Sequence, residues 1–71
     1  MAQECRRLID ELFARRLGLG LTQEAVADRM GVHRSYVSAL ELGRRVPGSS
    51  ILVRYAHAVR LRITFTTEYV D

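Results

Sequence analysis

Arginine dominates the chemistry that this sequence can offer. All eleven basic residues are arginine, and none is lysine. Arg34 is followed closely by Ser35 and Ser38, and a pair of arginines, Arg44 and Arg45, comes a little later. A planar guanidinium can donate two parallel hydrogen bonds to a phosphate, or to the O6 and N7 atoms of guanine. These residue types therefore favour an anionic partner that accepts hydrogen bonds.

The residues that could support catalysis or bind a metal are scattered along the chain. Cys5, His33 and His57 do not have the spacing of metal ligands. Serine, histidine and aspartate all occur, but no pattern places them as a catalytic triad. Gly18 and Gly20 precede a helix without the Lys-Ser/Thr ending of a phosphate-binding loop. We therefore expect no enzymatic activity, no metal and no cofactor.

Length, composition and charge limit the number of domains and the class of partner. Seventy-one residues, 48% of them hydrophobic, suffice for one small globular fold and leave no room for a separate catalytic domain. The net charge of +3 and the isoelectric point of about 9.8 favour a polyanionic partner.

The cysteine count and the hydrophobic pattern predict where the protein resides. Cys5 is a single cysteine, so no internal disulfide can form, which favours a reducing compartment. No apolar run approaches the length of a membrane span, and the N-terminus lacks the apolar core of a signal peptide. We expect a cytoplasmic protein with no membrane partner.

The segment 22–43 predicts two short helices joined by a turn. Val26 and Met30 lie four residues apart, and Val37 and Leu40 three apart. Each predicted helix therefore has one apolar stripe. Two helices joined by a short glycine-containing turn make a helix-turn-helix.

Capping residues and glycines mark the ends of these two helices. The Thr22 hydroxyl can accept a hydrogen bond from a backbone N–H one turn later. Gly31 can take the positive φ that ends a helix. Either His33 or Ser35 can start the next helix, and Gly43 ends it. The predicted bounds are about 23–30 and 34–42.

Two further helices flank this pair. The first is predicted from about Gln3 to Leu17, with an apolar face formed by Leu8, Ile9, Leu12 and Phe13. A loop covers residues 43–50, and Ser49 or Ser50 caps a fourth helix. The buried stripe of that helix comprises Leu52, Tyr55, Ala56 and Val59.

The C-terminal residues have a different pattern. Along residues 61–70 apolar and polar side chains alternate, and one face carries Leu61, Ile63, Phe65 and Tyr69. A fifth helix also fits, because three of these residues recur every four positions, but the Thr and Ile content favours a strand. A lone strand needs a partner for its backbone, and a second copy of the same strand supplies one across a two-fold axis. We therefore predict a domain at 1–60 and a dimerisation strand at 61–71.

These motifs resemble the Cro/repressor-type (XRE) helix-turn-helix family. The resemblance rests on Thr-Gln-Glu-Ala-Val-Ala at 22–27, Gly-Val at 31–32, Ser-Tyr-Val-Ser at 35–38, and Leu-Glu-x-Gly-Arg-Arg-x-Pro at 40–47. It covers residues 8–59. The resemblance implies a mainly α, four-helix lambda-repressor-like domain, to which we add the C-terminal β-strand that pairs across a homodimer.

The resemblance also implies a function. We expect a sequence-specific DNA-binding transcriptional regulator, a repressor that binds an inverted-repeat operator in double-stranded DNA as a homodimer and is nucleoid-associated when bound. The alternative is a protein-interaction module, such as the antitoxin of a toxin–antitoxin pair, that keeps the fold but has a toxin or another protein as its main contact.

The second helix of a helix-turn-helix lies in the major groove, and its N-terminal residues reach base edges. Here the expected base contacts are Arg34, Ser35, Ser38 and Ala39. The expected phosphate contacts are Gln23, His33, Tyr36, Arg44 and Arg45. The Gln23 amide can also bridge a phosphate and a base-contacting side chain, and Tyr36 either faces the DNA backbone or packs on the neighbouring helix.

In the family, an arginine seven residues before the Gln of the second helix commonly pairs with the Glu of the Leu-Glu-x-Gly turn. The matching residues here are Arg16 and Glu41. The resemblance thus implies a partly shielded ion pair that joins the first helix to the end of the third, whereas without the family both side chains would be expected in solvent.

Overall fold

Four α-helices follow one another in the computed structural model of the protein, which describes residues 3–64 and 67–69. Their bounds are α1 Gln3–Gly18, α2 Gln23–Met30, α3 Arg34–Glu41 and α4 Ser49–Ala58. The mainly helical, four-helix prediction is therefore confirmed. α1 extends one residue beyond its predicted end, and α3 stops one residue earlier.

The turn between α2 and α3 follows from local chemistry. The Thr22 hydroxyl caps α2 by accepting from the N–H of Ala25 at 3.0 Å. Gly31 has φ 73°, a left-handed conformation that glycine adopts without steric cost. The N–H of Val32 then donates to the Ala27 carbonyl at 3.0 Å and closes the end of α2.

α3 begins with a histidine cap. The ring Nδ1 of His33 accepts from the N–H of Ser35 at 3.1 Å, so His33, one of the two predicted starts, is the residue before the helix. Gly43, with φ 75°, follows the end of α3, and the N–H of Arg44 donates to the Ala39 carbonyl. The left-handed φ of Gly43 favours glycine, because other residues adopt that conformation only with strain.

The predicted serine cap of α4 is wrong. Gly48 occupies the N-cap position in an extended conformation, with no side-chain hydrogen bond. Its carbonyl already accepts from the N–H of Leu52 at 3.2 Å, so Ser49 is the first helical residue rather than a cap. The helix therefore begins one residue earlier than a cap at Ser49 would give.

The core lies between the four helices. α2 packs against α3 and α4, and α1 packs against the same two helices. The apolar stripes predicted for α2 and α3 are both buried. The largest fully buried side chains are Tyr55, Ile9, Leu12, Leu40, Val26, Val37 and Val59.

The C-terminal residues 61–64 and 67–69 adopt neither a strand nor a helix, so among the described residues neither predicted conformation is observed. Leu61 and Ile63 pack partly against the core, while Tyr69 is fully exposed. Phe65, the remaining residue of the predicted dimer face, lies outside the described residues. A single copy offers no partner for the backbone of this segment, and a strand requires one.

Candidate nucleic-acid interface

A buried carboxylate lies at the centre of the helix-turn-helix. The Nε and Nη2 atoms of Arg16 donate to the Oε2 and Oε1 atoms of Glu41 at 2.8 and 3.0 Å. Both residues are buried, with 7% and 5% of their surface exposed. The structure thus brings the two residues of the expected ion pair together in a bidentate arrangement, in which each charge offsets the desolvation of the other.

Two further donors reach the same carboxylate. The Gln23 amide donates to Oε1 of Glu41 at 2.9 Å, and the Tyr55 hydroxyl donates to Oε2. The remaining Arg16 nitrogen, Nη1, donates to the Leu21 carbonyl at 2.8 Å. Among the described residues no buried side-chain nitrogen or oxygen lacks a partner. Four hydrogen bonds to one carboxylate therefore connect α1, α2, α3 and α4; we call Arg16, Gln23, Glu41 and Tyr55 the Glu41 cluster.

The cluster holds its members in defined protonation states. Burial alone would raise the pKa of Glu41, but the hydrogen bonds from Arg16, Tyr55 and Gln23 outweigh it and lower that pKa below its ordinary value of 4.5. Burial, reinforced by the hydrogen bond to Glu41, raises the pKa of Tyr55 well above its ordinary value. At neutral pH the carboxylate is therefore charged and the phenol is neutral.

Gln23 connects the cluster to the protein surface. Its side chain is half-buried at the first position of α2, and its Oε1 lies 3.4 Å from the Nη1 of Arg34, the first residue of α3. Arg34 is exposed and makes only this long contact to a described side chain. The starts of α2 and α3 thus lie side by side, and a guanidinium faces solvent between them.

The other expected base contacts share α3 with Arg34 but differ in exposure. Ser35 is exposed, and its hydroxyl lies 2.8 Å from the Nδ1 of His33. Ser38 and Ala39, one turn later, are half-buried. His33 itself is exposed and serves as the helix cap, which is compatible with a phosphate contact through the rest of its ring.

Two exposed arginines follow the end of α3. The guanidinium of Arg45 lies over the ring of Tyr36, 4.6 Å from its centroid. Tyr36 is half-buried and packs against the core, so of its two expected roles the structure shows packing. A cation stacked on an aromatic face keeps its N–H groups at the edge available for another acceptor. Arg44 is exposed beside it.

The sequence patterns do not predict two members of the Glu41 cluster. They predict Tyr55 only as part of a buried stripe and Gln23 only as a DNA contact, whereas both side chains donate to Glu41. A tyrosine on an otherwise apolar helix stripe is nevertheless a signal, because a buried hydroxyl needs a hydrogen-bond partner. For Tyr55 that partner is the carboxylate of Glu41.

In the described part of the chain no helix is long and apolar enough to span a membrane. The same residues contain no group of three or more His, Cys, Asp or Glu side chains placed to bind a metal ion.

Comparison with known proteins identifies relatives over most of the chain. Antitoxin HigA1 of Mycobacterium tuberculosis is 43% identical over 67 residues, which is 94% of this chain and 45% of that protein. An HTH-type transcriptional regulator of Sinorhizobium fredii is 44% identical over 57 residues, 79% of this chain and 74% of that regulator. Another HTH-type transcriptional regulator, from Methanothermobacter thermautotrophicus, is 49% identical over 41 residues, which is 58% of this chain and 59% of that regulator.

The chain spans about half the length of the mycobacterial antitoxin. No solved structure matches it. The helix-turn-helix family profile matches residues 12–65, a range that includes all of α2, α3 and α4. The chain therefore belongs to the Cro/repressor-type helix-turn-helix family.

Proposed function

We propose that the protein is a sequence-specific DNA-binding transcriptional regulator that acts as a homodimer and represses from an inverted-repeat operator. Family membership and the relatives named as transcriptional regulators support this function. The observation that carries it is the exposed Arg34 at the first position of α3, beside Gln23 at the first position of α2.

Arg34 has the position and the N–H donors that a contact with a base edge requires. When α3 enters the major groove, its first turn approaches the base edges, and a guanidinium there can donate to guanine O6 and N7. The single 3.4 Å contact to Gln23 orients the arginine without using its other N–H groups. Ser35, exposed on the same turn, is the second base contact in this arrangement.

The phosphate contacts flank Arg34 on two sides. The N–H groups of Gln23 and Glu24, at the start of α2, have no intrahelical acceptor and lie at the positive end of the helix dipole. A phosphate bound there would accept from these backbone groups, so the Gln23 side chain could keep its hydrogen bond to Glu41. On the other side, Arg44 and the Tyr36-stacked Arg45 provide exposed charges just past the end of α3.

The homodimer is proposed through residues 61–70. The Leu61 and Ile63 side chains are only half-buried, and Tyr69 is fully exposed, so an apolar face remains to be covered. Antiparallel pairing of two such segments would satisfy their backbone groups and place two copies of α3 about 34 Å apart, one turn of DNA.

Selection from a random DNA pool tests the function most directly. We expect enrichment of an inverted repeat whose half-sites are about one helical turn apart. Binding of the selected site should weaken steeply between about 50 and 200 mM salt, because phosphate contacts release counterions. Failure to enrich any sequence, with no salt-dependent binding to duplex DNA, would contradict the proposal.

A second candidate is the antitoxin of a toxin–antitoxin pair, favoured by the 43% identity to antitoxin HigA1. In this role the main contact is a toxin protein, and the exposed Leu17 and Leu42, with 57% and 61% of their surface exposed, are available for it. Co-expression with the product of the adjacent gene tests this candidate. A stable complex that survives about 500 mM salt, where the DNA complex dissociates, would identify a protein as the main contact.

A further inference from the structure

The side-chain amide of Gln23 has opposite partners at its two ends. Its Nε2 donates to the buried Oε1 of Glu41 at 2.9 Å, and its Oε1 lies 3.4 Å from the Nη1 of Arg34. The Gln23 side chain is half-buried, whereas Arg34 is exposed. The amide therefore spans the boundary between the Glu41 cluster and the surface that the proposed function assigns to DNA.

The charge of Glu41 decides which end of this amide points inward. An ionised carboxylate only accepts hydrogen bonds, while an amide has two N–H donors at one end and an accepting oxygen at the other. Although burial opposes ionisation, the donors of the cluster lower the pKa of Glu41 below its ordinary value, so the carboxylate is charged. An inverted amide would place its oxygen against the carboxylate, with two buried acceptors and no donor between them. The Gln23 oxygen is thereby held on the outer side.

An oxygen held beside Arg34 has two consequences for that guanidinium. It offers an acceptor to Nη1 and so favours one orientation of the side chain at the start of α3, using one of five N–H groups. It also repels a phosphate oxygen that approaches the same edge, because both oxygens are acceptors with partial negative charge. The Nε and Nη2 groups, which donate to no described residue, remain for a bidentate contact to guanine O6 and N7.

We propose that Gln23 is a positioning residue that directs Arg34 toward guanine and away from phosphate, and that the Glu41 carboxylate fixes the direction of the Gln23 amide. This inference rests on the proposed DNA-binding function and deepens it, because it names a second side chain on which the base preference depends. Without the Gln23 amide, Arg34 would still bind DNA, but it would pair with base and phosphate alike.

The direction of the amide can be measured without DNA. The chain contains two glutamines, Gln3 and Gln23, and no asparagine, so its NMR spectrum has only two side-chain NH2 groups. Gln3 is exposed and serves as the internal reference. We expect the Gln23 N–H that bonds Glu41 to exchange with solvent about tenfold more slowly than the side-chain N–H groups of Gln3. The same slow exchange should persist in Arg34→Ala, because the carboxylate and not the arginine holds the amide.

Gln23→Met tests the effect on base reading. Methionine has a similar length but lacks both polar ends, and the backbone N–H groups at the start of α2 are retained. At the base pair whose preference relaxes in Arg34→Ala, the preference of Gln23→Met for guanine should fall about three- to tenfold. Affinity for non-specific DNA should stay within about twofold of wild type, because the guanidinium can then pair with a phosphate.

A double variant shows whether the effect passes through the arginine. In the Arg34→Ala background, Gln23→Met should change the base preference by less than about twofold, since no guanidinium remains to be positioned. Gln3→Met makes the same substitution at an exposed residue of α1 and should leave affinity and preference unchanged. Circular dichroism melting reports whether each variant folds. If Gln23→Met does not fold, Gln23→Ala repeats the test with a residue that favours the helix.

The possible results separate the positioning role of Gln23 from the proposed function. If its amide exchanges as fast as that of Gln3, or if Gln23→Met keeps the full guanine preference, the positioning role is wrong. Equal weakening of Gln23→Met on every sequence would make the amide a phosphate contact instead. In these cases the DNA-binding function still stands, provided that Arg34→Ala relaxes the preference. If no DNA sequence is selected at all, the proposed function fails and the positioning role fails with it.

Discussion

Arg16 and Arg34 lie at the two ends of one series of side-chain contacts, the first buried and the second exposed. All three nitrogens of the Arg16 guanidinium donate to acceptors inside the protein at 2.8 to 3.0 Å. Among the described side chains, Arg34 donates to one acceptor, the amide oxygen of Gln23 at 3.4 Å, and the nitrogen of the same amide donates to Glu41. An arginine is therefore structural where its N–H donors bond acceptors inside the protein, as at Arg16, and available to a ligand where they do not, as at Arg34.

The two helices that carry Gln23 and Arg34, α2 and α3, are short, with eight residues each. The Glu41 cluster joins both of them to α1 and α4 through one carboxylate. Gln23 belongs to the cluster and its Oε1 also lies 3.4 Å from the Nη1 of Arg34, so one side chain connects the buried carboxylate with the exposed guanidinium.

The largest expected effect comes from removing the carboxylate. Glu41→Ala leaves the Arg16 guanidinium buried without its partner, which should cost about 3–5 kcal/mol in the free energy of unfolding. Urea denaturation measures the loss. Glu11→Ala, at an exposed carboxylate of α1, is the matched control and should change stability by less than about 0.5 kcal/mol. The Arg16→Ala, Glu41→Ala double variant should lose much less than the sum of the singles; strict additivity would show that the two charges are independent.

Tyr55→Phe should have the next largest effect. It removes one hydrogen bond to a charged acceptor and leaves the ring in place, so we expect a loss of about 1.5–3 kcal/mol in the free energy of unfolding. Thermal and urea unfolding of the same variant give this value. An unchanged stability would mean that the hydroxyl contributes nothing to the Glu41 cluster.

The pH dependence of stability should also reveal the contribution of the buried Glu41 cluster. The pKa of Tyr55 is raised in the folded state, so its contribution is complete below the ordinary value of 10.0 and is lost as the pH rises toward the folded value. The pKa of Glu41 is lowered, so its contribution is complete above 4.5 and is lost as the pH falls through the folded value. The alkaline loss should disappear in Tyr55→Phe, and the acid loss should diminish in Glu41→Gln.

The exposed Arg34 gives the opposite expectation: Arg34→Ala should weaken DNA binding but leave the stability of the fold unchanged. We expect a loss of about 1–3 kcal/mol of affinity at one base pair of each half-site, with relaxed preference there. The free energy of unfolding should stay within about 0.5 kcal/mol of wild type, in contrast to any substitution of Arg16. Competition binding with single-base variants of the selected site measures this. Equal weakening on every sequence would show that Arg34 contacts phosphate only.

The smallest effect is expected at Arg44. Arg44→Ala should weaken binding to specific and to non-specific DNA alike. It should also reduce the slope of log affinity against log salt concentration by about one unit. Titrations over a range of salt concentrations measure the slope, with Arg7→Ala on the exposed face of α1 as the control. An unchanged slope would remove Arg44 from the phosphate contacts.

The α2–turn–α3 segment was predictable because its signals are local. Thr22 lies directly before α2 and accepts from the N–H of Ala25 three residues later, and Gly31 ends α2 through its own φ, so short windows of sequence contain each cause and its effect. The start of α4 was predicted one residue too late, because Gly48 takes the N-cap position without a side-chain hydrogen bond and so carries no capping signal in its side chain.

The sequence by itself determined the helices, the turn and the residue types on the surface of α3, since periodicity and capping act over one or two turns. Only the tertiary structure decided that Glu41 accepts from Arg16, Gln23 and Tyr55 together, because residues 14 to 25 positions apart meet only after the helices pack. In the described residues of the tail, 61–64 and 67–69, the local alternation did not by itself produce a strand, because a strand also needs a second backbone to pair with.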